Sequence, residues 1–235
     1  MYKITVLNTA HIDCADSVIY KGGSKDSATT IGCHCFLLEN DGRYYLIDTG
    51  IENIDVVNTT KTSKDDWRRS DDEHTVCEHL EKLGISCDDI TKIFVTHMHY
   101  DHISAARHFK NAKFYMTKTE YDNFISDKTS VQSKVLCGVK EFMTRDKVVL
   151  FDDELDVDGI KLKLRGGHTK GSMSLETGKN LFVGDTIFTH ENLIRKIPTG
   201  YTSDRDVSDR LICEYLKYNG KIITSHDINE VKNNV

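Results

Sequence analysis

The sequence predicts an α/β fold in which two β-sheets pack against each other and helices cover their outer faces. Apolar segments typical of strands occur in both halves of the chain, and segments with helical spacing lie between them. No repeat, low-complexity tract or proline-rich linker divides the chain, and Pro198 is its only proline. We therefore expect a single domain over residues 1–235, a normal size for one domain.

The first half of the chain alternates predicted strands and helices. Asp41-Gly42 is a strong turn signal between two apolar segments, so we expect a hairpin there. Gly84 ends a segment with helical spacing. The strands are expected over residues 2–8, 32–38, 43–48, 91–96 and 113–116. The helices are expected over residues 73–83, from Asp101 onward, and over 118–126.

The second half is expected to be richer in strands, which are predicted over residues 147–151, 160–165, 172–176, 180–184 and 221–224. A helix is expected over residues 205–217. Between the first-half elements lies a polar segment, residues 58–72, which contains Trp67, the only tryptophan. It is either a solvated loop or a loop that covers a site and contributes one aromatic side chain to specificity.

Composition limits the classes of partner. The formal charge of −6 gives no general electrostatic reason to bind nucleic acid or an anionic membrane, so we expect a small-molecule substrate. The N-terminal segment lacks the features of a signal peptide, and no apolar segment reaches the roughly 20 residues that a transmembrane helix needs. We therefore expect a cytoplasmic protein, while its oligomeric state is not predicted by the sequence.

Seven cysteines are scattered along the chain, which is typical of reduced thiols. Cys33 and Cys35 form a C-x-C pair that could begin a metal site, but no second pair completes one. We expect both to lie in the core as small apolar residues.

A histidine-rich segment carries the strongest functional signal. His97, His99, Asp101 and His102 lie within six residues at the end of a predicted strand. Imidazole and carboxylate ligands suit zinc, and also iron, manganese or cobalt. On an extended segment His97 and His99 project to the same side and can reach one ion. A chance match to this pattern is expected at a frequency on the order of 10⁻³.

Further ligands are expected where later strands end. His168, Asp185 and His226 each directly follow a predicted strand or its closing glycines or small polar residues. Loops at strand ends are where a rigid scaffold places functional groups. The three residues repeat one pattern in a chain that needs more ligands, so we predict that they complete a metal site.

With these motifs in order, the sequence resembles the metallo-β-lactamase superfamily over roughly residues 30–227. The resemblance is carried by Leu46-Ile47-Asp48-Thr49-Gly50, Thr96 to His102, Gly167-His168-Thr169-Lys170-Gly171-Ser172, Gly184-Asp185-Thr186 and Ser225-His226-Asp227. It implies a four-layer αβ/βα metallo-β-lactamase sandwich with two divalent metal ions, most simply zinc, at one edge.

The resemblance also implies a role for each residue. The first metal would be held by His97, His99 and His168, and the second by Asp101, His102 and His226. Asp185 would bridge the metals, and a hydroxide between them would attack the substrate carbonyl. Asp101 would also carry a proton to the leaving group. Asp48 matches a family aspartate that supports the ligands.

Within the superfamily, the sequence is most similar to N-acyl homoserine lactonases, which implies opening of a lactone or similar ester and a quorum-quenching role. Those enzymes commonly carry a tyrosine three residues after the bridging aspartate. Here that substrate-binding position is Phe188, which cannot donate a hydrogen bond. Tyr100 or Tyr201 could supply a phenol in its place.

Two alternatives remain open. The segment from Gly184 to Phe188 also suits a glyoxalase II-like thioester hydrolase, although the chain after residue 190 lacks an evident basic patch for glutathione. The chain could also be a metal-binding sensor or interaction module with weak catalysis. A β-lactamase is disfavoured by the lack of an export signal, and a nuclease by the acidic balance.

Overall fold

The computed structural model describes residues 1–61 and 66–231, which form two sheets flanked by helices. The strands in these ranges are β1 (Lys3–Ala15), β2 (Ala28–Asn40), β3 (Arg43–Ile47), β4 (Ile90–Phe94), β5 (Lys113–Thr117), β6 (Val148–Phe151), β7 (Glu154–Val157), β8 (Ile160–Leu164), β9 (Met173–Thr177), β10 (Asn180–Phe182) and β11 (Lys221–Ile223). The α-helices are α1 (Asp16–Ile19), α2 (Ile54–Thr60), α3 (Val76–Lys82), α4 (Tyr100–Ile103), α5 (Lys118–Ser126), α6 (Val131–Val135), α7 (Cys137–Phe142), α8 (His190–Arg195) and α9 (Arg205–Tyr215).

The two sheets differ in strand direction. The first has the order β1-β2-β3-β4-β5-β6, with β1, β2 and β3 antiparallel and β3 to β6 parallel. The second has the order β11-β10-β9-β8-β7 and is antiparallel except between β10 and β11. Because β3 and β4 are parallel, the loops that leave their carboxyl ends lie at the same edge of the first sheet.

Apolar side chains separate the layers. Between the sheets, the rings of Phe36 and Phe182 meet with their centroids 5.0 Å apart. On the outer face of the first sheet, Leu80 of α3 belongs to the same buried cluster as sheet residues. On the outer face of the second sheet, Leu211 and Tyr215 of α9 are buried in a further cluster. The expected αβ/βα sandwich is therefore confirmed.

Most local predictions hold, and the exceptions have physical reasons. The hairpin turns at Asp41-Gly42, where both residues have positive φ angles of 51° and 72°. The first strand continues to Ala15, well beyond the predicted end at residue 8, because its second half pairs with β2. The third helix begins at Val76, later than predicted, because Thr75 caps it in a capping box with Glu78.

The polar segment over residues 58–72 has three parts. Its first residues belong to α2, residues 62–65 lie outside the described part of the chain, and the remainder lies along β1 through a bridge between His11 and Arg68. Trp67 is only 4% exposed, so it is a packed residue and not part of a solvated loop.

The cysteine pair of β2 is buried. Cys33 and Cys35 both have no exposed surface and belong to apolar clusters, as predicted for core residues. Among the described residues, no helix has the combination of length and apolar character that crossing a membrane requires.

Candidate active site

The histidine-rich segment lies at the edge of the first sheet, between the end of β4 and the end of α4. The structure brings all seven predicted ligands to this edge in two groups. In each group, one ligand atom from every member lies within 4.8 Å of the others. The first group comprises His97, His99 and His168, and the second comprises Asp101, His102, Asp185 and His226.

Asp185 belongs to the second group and also faces the first. Its Oδ1 atom is 3.1 Å from His102 Nε2 and 3.0 Å from His226 Nε2. Its Oδ2 atom faces the first group, 3.4 Å from His168 Nε2 and 3.7 Å from His97 Nε2. One carboxylate oxygen therefore faces each group, as the bridging role implied by the family resemblance requires.

Hydrogen bonds on the far side fix the orientation of three rings. The Nδ1 atom of His102 donates to Asp48 Oδ2 at 2.8 Å, and Nδ1 of His168 donates to the carbonyl of Tyr201 at 2.9 Å. Nδ1 of His226 donates to the carbonyl of Gly32 at 2.6 Å. Because carbonyls and carboxylates only accept, each neutral ring carries its proton on Nδ1 and turns the lone pair of Nε2 toward the interior of the site, where Nε2 of His168 lies 3.0 Å from His99 Nδ1.

Several of the inward-facing atoms are buried without a hydrogen-bond partner among the described residues: His97 Nε2, His102 Nε2 and Asp185 Oδ1. Buried polar atoms are otherwise almost always satisfied, and leaving one unsatisfied costs about 1–3 kcal/mol. Imidazole nitrogens and carboxylate oxygens are also the ligands that zinc and similar divalent ions prefer. The residues present therefore fit metal ions.

Electrostatics differ between the groups. Burial, together with repulsion from neighbouring rings, holds the pKa of His97 and His99 well below the ordinary histidine value. Burial also opposes a charge on His102 and His226, but the carboxylates of Asp185 and Asp101, joined by Asp48 at His102, outweigh it and raise the pKa of both. In the absence of a cation, the carboxylate of Asp185 is the main compensating charge for the second group.

Asp48 supports the second group from the loop after β3. Its carboxylate accepts from the backbone N–H of Thr96 at 2.7 Å, the hydroxyl of Thr96 at 2.6 Å and His102. Its φ angle is 58°, in the left-handed region that only a few side chains adopt readily. Such strain persists where the surroundings hold the residue in place, as these buried hydrogen bonds do.

Glu120 supports the first group, and the sequence did not single it out. Its buried carboxylate accepts from the backbone N–H of Met98 at 2.8 Å and from the hydroxyl of Thr169 at 2.6 Å. These partners are neighbours of His97 and His168 in the chain. The sequence signal was ambiguous because Thr117-x-x-Glu120 reads as an ordinary capping box at the start of α5.

A cavity of about 370 Å³, which we call the site cavity, opens over both groups. Five of the seven predicted ligands line it, namely His99, Asp101, His168, Asp185 and His226. Its apolar wall includes Ile12, Val18, Ile31, Trp67, Val131 and Phe188. A cavity of this size, with apolar walls and a few polar groups, suits a small-molecule ligand.

Phe188 and both candidate phenols border this cavity. The Phe188 ring contacts the rings of His168 and His226, with centroids 5.6 Å and 5.1 Å away. The Tyr201 ring lies against His168, at 5.4 Å between centroids, and is half exposed. The hydroxyl of Tyr100 accepts a long hydrogen bond of 3.4 Å from Trp67 Nε1, which leaves its own proton free to be donated.

Known proteins resemble this chain in sequence. The profile of the metallo-beta-lactamase superfamily matches residues 28–221. N-acyl homoserine lactonase AiiA from Bacillus thuringiensis subsp. kurstaki is 26% identical over 211 residues, which cover 84% of this chain and 82% of that protein. An N-acyl homoserine lactonase from a Bacillus species is 25% identical over 209 residues, which cover 83% and 81%.

Solved structures share the fold. An N-acyl homoserine lactone hydrolase with N-hexanoyl-L-homoserine at its catalytic metal center superimposes with a TM-score of 0.81 at 20% identity, over 98% of this chain and 95% of that one. AidC, a dizinc quorum-quenching lactonase, superimposes with a TM-score of 0.73 at 18% identity, over 96% and 87%. Because the family profile spans most of the sequence, the chain belongs to the metallo-β-lactamase superfamily and is a metal-dependent hydrolase.

Proposed function

We propose that this protein is a dinuclear hydrolase that opens a lactone or a similar carboxylic ester. The observation that carries the proposal is Asp185, whose two oxygens face two separate ligand groups. His97, His99 and His168 would hold one ion, and Asp101, His102 and His226 the other. Zinc fits this ligand set best, with iron, manganese or cobalt as alternatives.

Two bound cations would supply Lewis acidity at the substrate carbonyl and a water that loses its proton at neutral pH. The side chains and backbone of the protein orient the ligands and the substrate. Asp48, Gly32 and Tyr201 keep the histidine protons away from the ligand atoms. The apolar wall of the site cavity would pack against the apolar part of a bound ester.

Asp101 is the proposed proton carrier. Its side chain is 13% exposed and lines the site cavity, so it is both close to the ligand groups and accessible to a substrate. Its Oδ2 atom lies 3.8 Å from His102 Nε2 and from His226 Nε2. A carboxylate at this position can take up a proton and deliver it to the leaving oxygen, which completes ester cleavage.

The substrate class follows from the cavity and from the relatives. The site cavity has room for a lactone ring with an acyl chain along its apolar wall. Two curated relatives are named N-acyl homoserine lactonases, which supports a lactone substrate. Phe188 offers no hydroxyl to the carbonyl, so we propose that Tyr100 or Tyr201 donates that hydrogen bond. A quorum-quenching role follows if N-acyl homoserine lactones are turned over.

The test compares substrate classes on protein of known metal content. Metal-free protein, prepared with a chelator, is reloaded with zinc or manganese and assayed on lactones of several acyl lengths and on glutathione thioesters. We expect lactone opening that requires metal and falls in Tyr100→Phe or Tyr201→Phe. Thioester turnover without lactone turnover would favour the glyoxalase II-like alternative, and full metal content without any turnover would favour a sensor.

A further inference from the structure

Residues 198–204, which we call the connecting segment, lie between α1 and the loop that carries His168. On one side, the backbone N–H groups of Gly200 and Tyr201 both donate to the carbonyl of Val18 in α1, at 3.0 and 2.9 Å. On the other side, the carbonyl of Tyr201 accepts from Nδ1 of His168 at 2.9 Å. Because Val18 lines the site cavity, the connecting segment joins a wall of that cavity to a residue of the first ligand group.

Further hydrogen bonds hold the later part of the connecting segment against the His168 loop. The backbone N–H of Ser203 donates to the carbonyls of Gly167 and His168, at 2.8 and 3.1 Å. The hydroxyl of Thr202 donates to the carbonyl of Gly167 at 2.7 Å. The segment is thus held on both sides. A shift away from α1 would therefore displace the carbonyl of Tyr201 from the His168 ring or move the ring with it.

Gly200 is the position where the connecting segment approaches α1 most closely. A Cβ atom on Gly200 would lie 2.0 Å from the carbonyl oxygen of Ser17 and 2.9 Å from that of Tyr20. Both are backbone atoms, which cannot rotate away as the end of a flexible side chain could. Only glycine therefore lets the segment lie this close to α1.

A close backbone approach can also serve packing alone, and Gly220 is such a case. A Cβ atom on Gly220 would lie 2.3 Å from the carbonyl oxygen of Lys179. Gly220 and Lys179 precede β11 and β10, whereas Asp185 and His226 follow the opposite ends of these parallel strands. Gly200 differs because the residue next to it supplies the carbonyl that accepts from a histidine of the first group.

We propose that Gly200 is a positioning residue for the first ligand group. It lets the carbonyl of Tyr201 reach Nδ1 of His168, and this contact keeps Nε2 of the ring among the ligand atoms of the group. The inference rests on the proposed function, because it concerns one of the two proposed metal ions. Gly200→Ala should weaken zinc binding at the first group and leave the second group unchanged.

Zinc binding to metal-free protein, measured by titration against a chromophoric chelator, gives the affinities. Anomalous diffraction from crystals equilibrated with limiting zinc shows which group each affinity belongs to. We expect the affinity at the first group to fall about 10–100-fold in Gly200→Ala, as on loss of an outer partner of a ligand histidine. Gly220→Ala is the matched control, since it also places a methyl group against a backbone carbonyl, and it should change neither affinity.

An unaltered affinity at the first group in Gly200→Ala, or an equal fall at both groups, would overturn the inference. If Gly200→Ala does not fold, Thr202→Val takes its place, because it loosens the connecting segment without adding bulk. We expect a smaller fall, confined to the first group, and wild-type affinities at both groups would count against the proposal.

Nuclear magnetic resonance of the metal-free protein gives a second readout that does not depend on zinc. The Nδ1 proton of His168 should exchange slowly with water in wild type and faster in Gly200→Ala or Thr202→Val. Wild-type exchange in both variants would also overturn the inference. If wild type binds no zinc at the first group, the proposed dinuclear function fails, while the exchange of this proton still decides the role of Gly200.

Discussion

Replacing Asp48 by asparagine should weaken the second metal site selectively. Asparagine tolerates the left-handed backbone at this position, where φ is 58°, so the change alters mainly the hydrogen bonds. In the wild type, His102 Nδ1 donates to the Asp48 carboxylate at 2.8 Å. Asparagine would place an amide donor opposite this nitrogen. The imidazole must then move its proton to Nε2, the atom that lies 3.1 Å from Asp185 and faces the second group.

The size of the effect follows from that proton. Loss of an outer partner of a ligand histidine typically lowers metal affinity by about 10–100-fold, or about 1.4–2.7 kcal/mol. Titration of metal-free protein with zinc against a chromophoric chelator separates the two binding events. We expect the affinity for the ion held by Asp101, His102 and His226 to fall by this amount in Asp48→Asn. The affinity for the ion held by His97, His99 and His168 should change little. Asp13→Asn, at an exposed carboxylate paired with Arg68, is the control.

If each of the two metal ions binds Asp48→Asn as tightly as it binds wild type, the reasoning about the proton on His102 is refuted. If only the affinity for the ion among His97, His99 and His168 falls, the assignment of His102 to the second group is refuted. Either result is independent of the substrate.

Glu120→Ala should destabilise the metal-free protein by about 1–3 kcal/mol in urea unfolding, because the buried backbone N–H of Met98 loses its acceptor, and an unchanged midpoint would contradict this. Phe188→Tyr should raise the rate of lactone opening about 10-fold by adding a donor beside the reacting carbonyl, and an unaltered rate would exclude that contact. The hydrogen bond from His190 to Glu230 at 2.7 Å raises the pKa of His190, and the nearby carboxylate of Asp227 acts in the same direction. Burial and the charge of Lys221 lower this pKa but do not outweigh the carboxylates. This stabilisation is complete below the unfolded pKa of about 6.5 and is lost as pH rises through the raised value. His190→Gln should therefore cost more stability at pH 6 than at pH 8.5, and an equal cost at both would contradict the pairing.

Much of the candidate site could be predicted because its residues follow strands. A strand fixes where the residues that follow it lie, so the sequence alone places His97, His168, Asp185 and His226 at strand ends, and the structure brings them to one edge of the fold. The superfamily resemblance then gave each residue a role. The structure adds the arrangement of Asp185, which faces both groups and depends on packing of two sheets and not on local spacing.

The features that could not be predicted depend on contacts between distant segments. Glu120 lies on α5 but supports residues of two other loops, and its sequence context indicates only a helix cap. Trp67 and Lys61 lie in the polar segment over residues 58–72, where hydrophobic periodicity does not indicate which side chains are buried. The burial of Trp67 results from packing against β1 and α4, which the sequence pattern does not encode.

The two-metal centre is tested most directly by anomalous diffraction at the zinc edge from crystals of the zinc-loaded protein. We expect two peaks per chain, one among His97, His99 and His168 and the other among Asp101, His102 and His226, with Asp185 contacting both. A single peak, or two peaks that do not share Asp185, would contradict the dinuclear site.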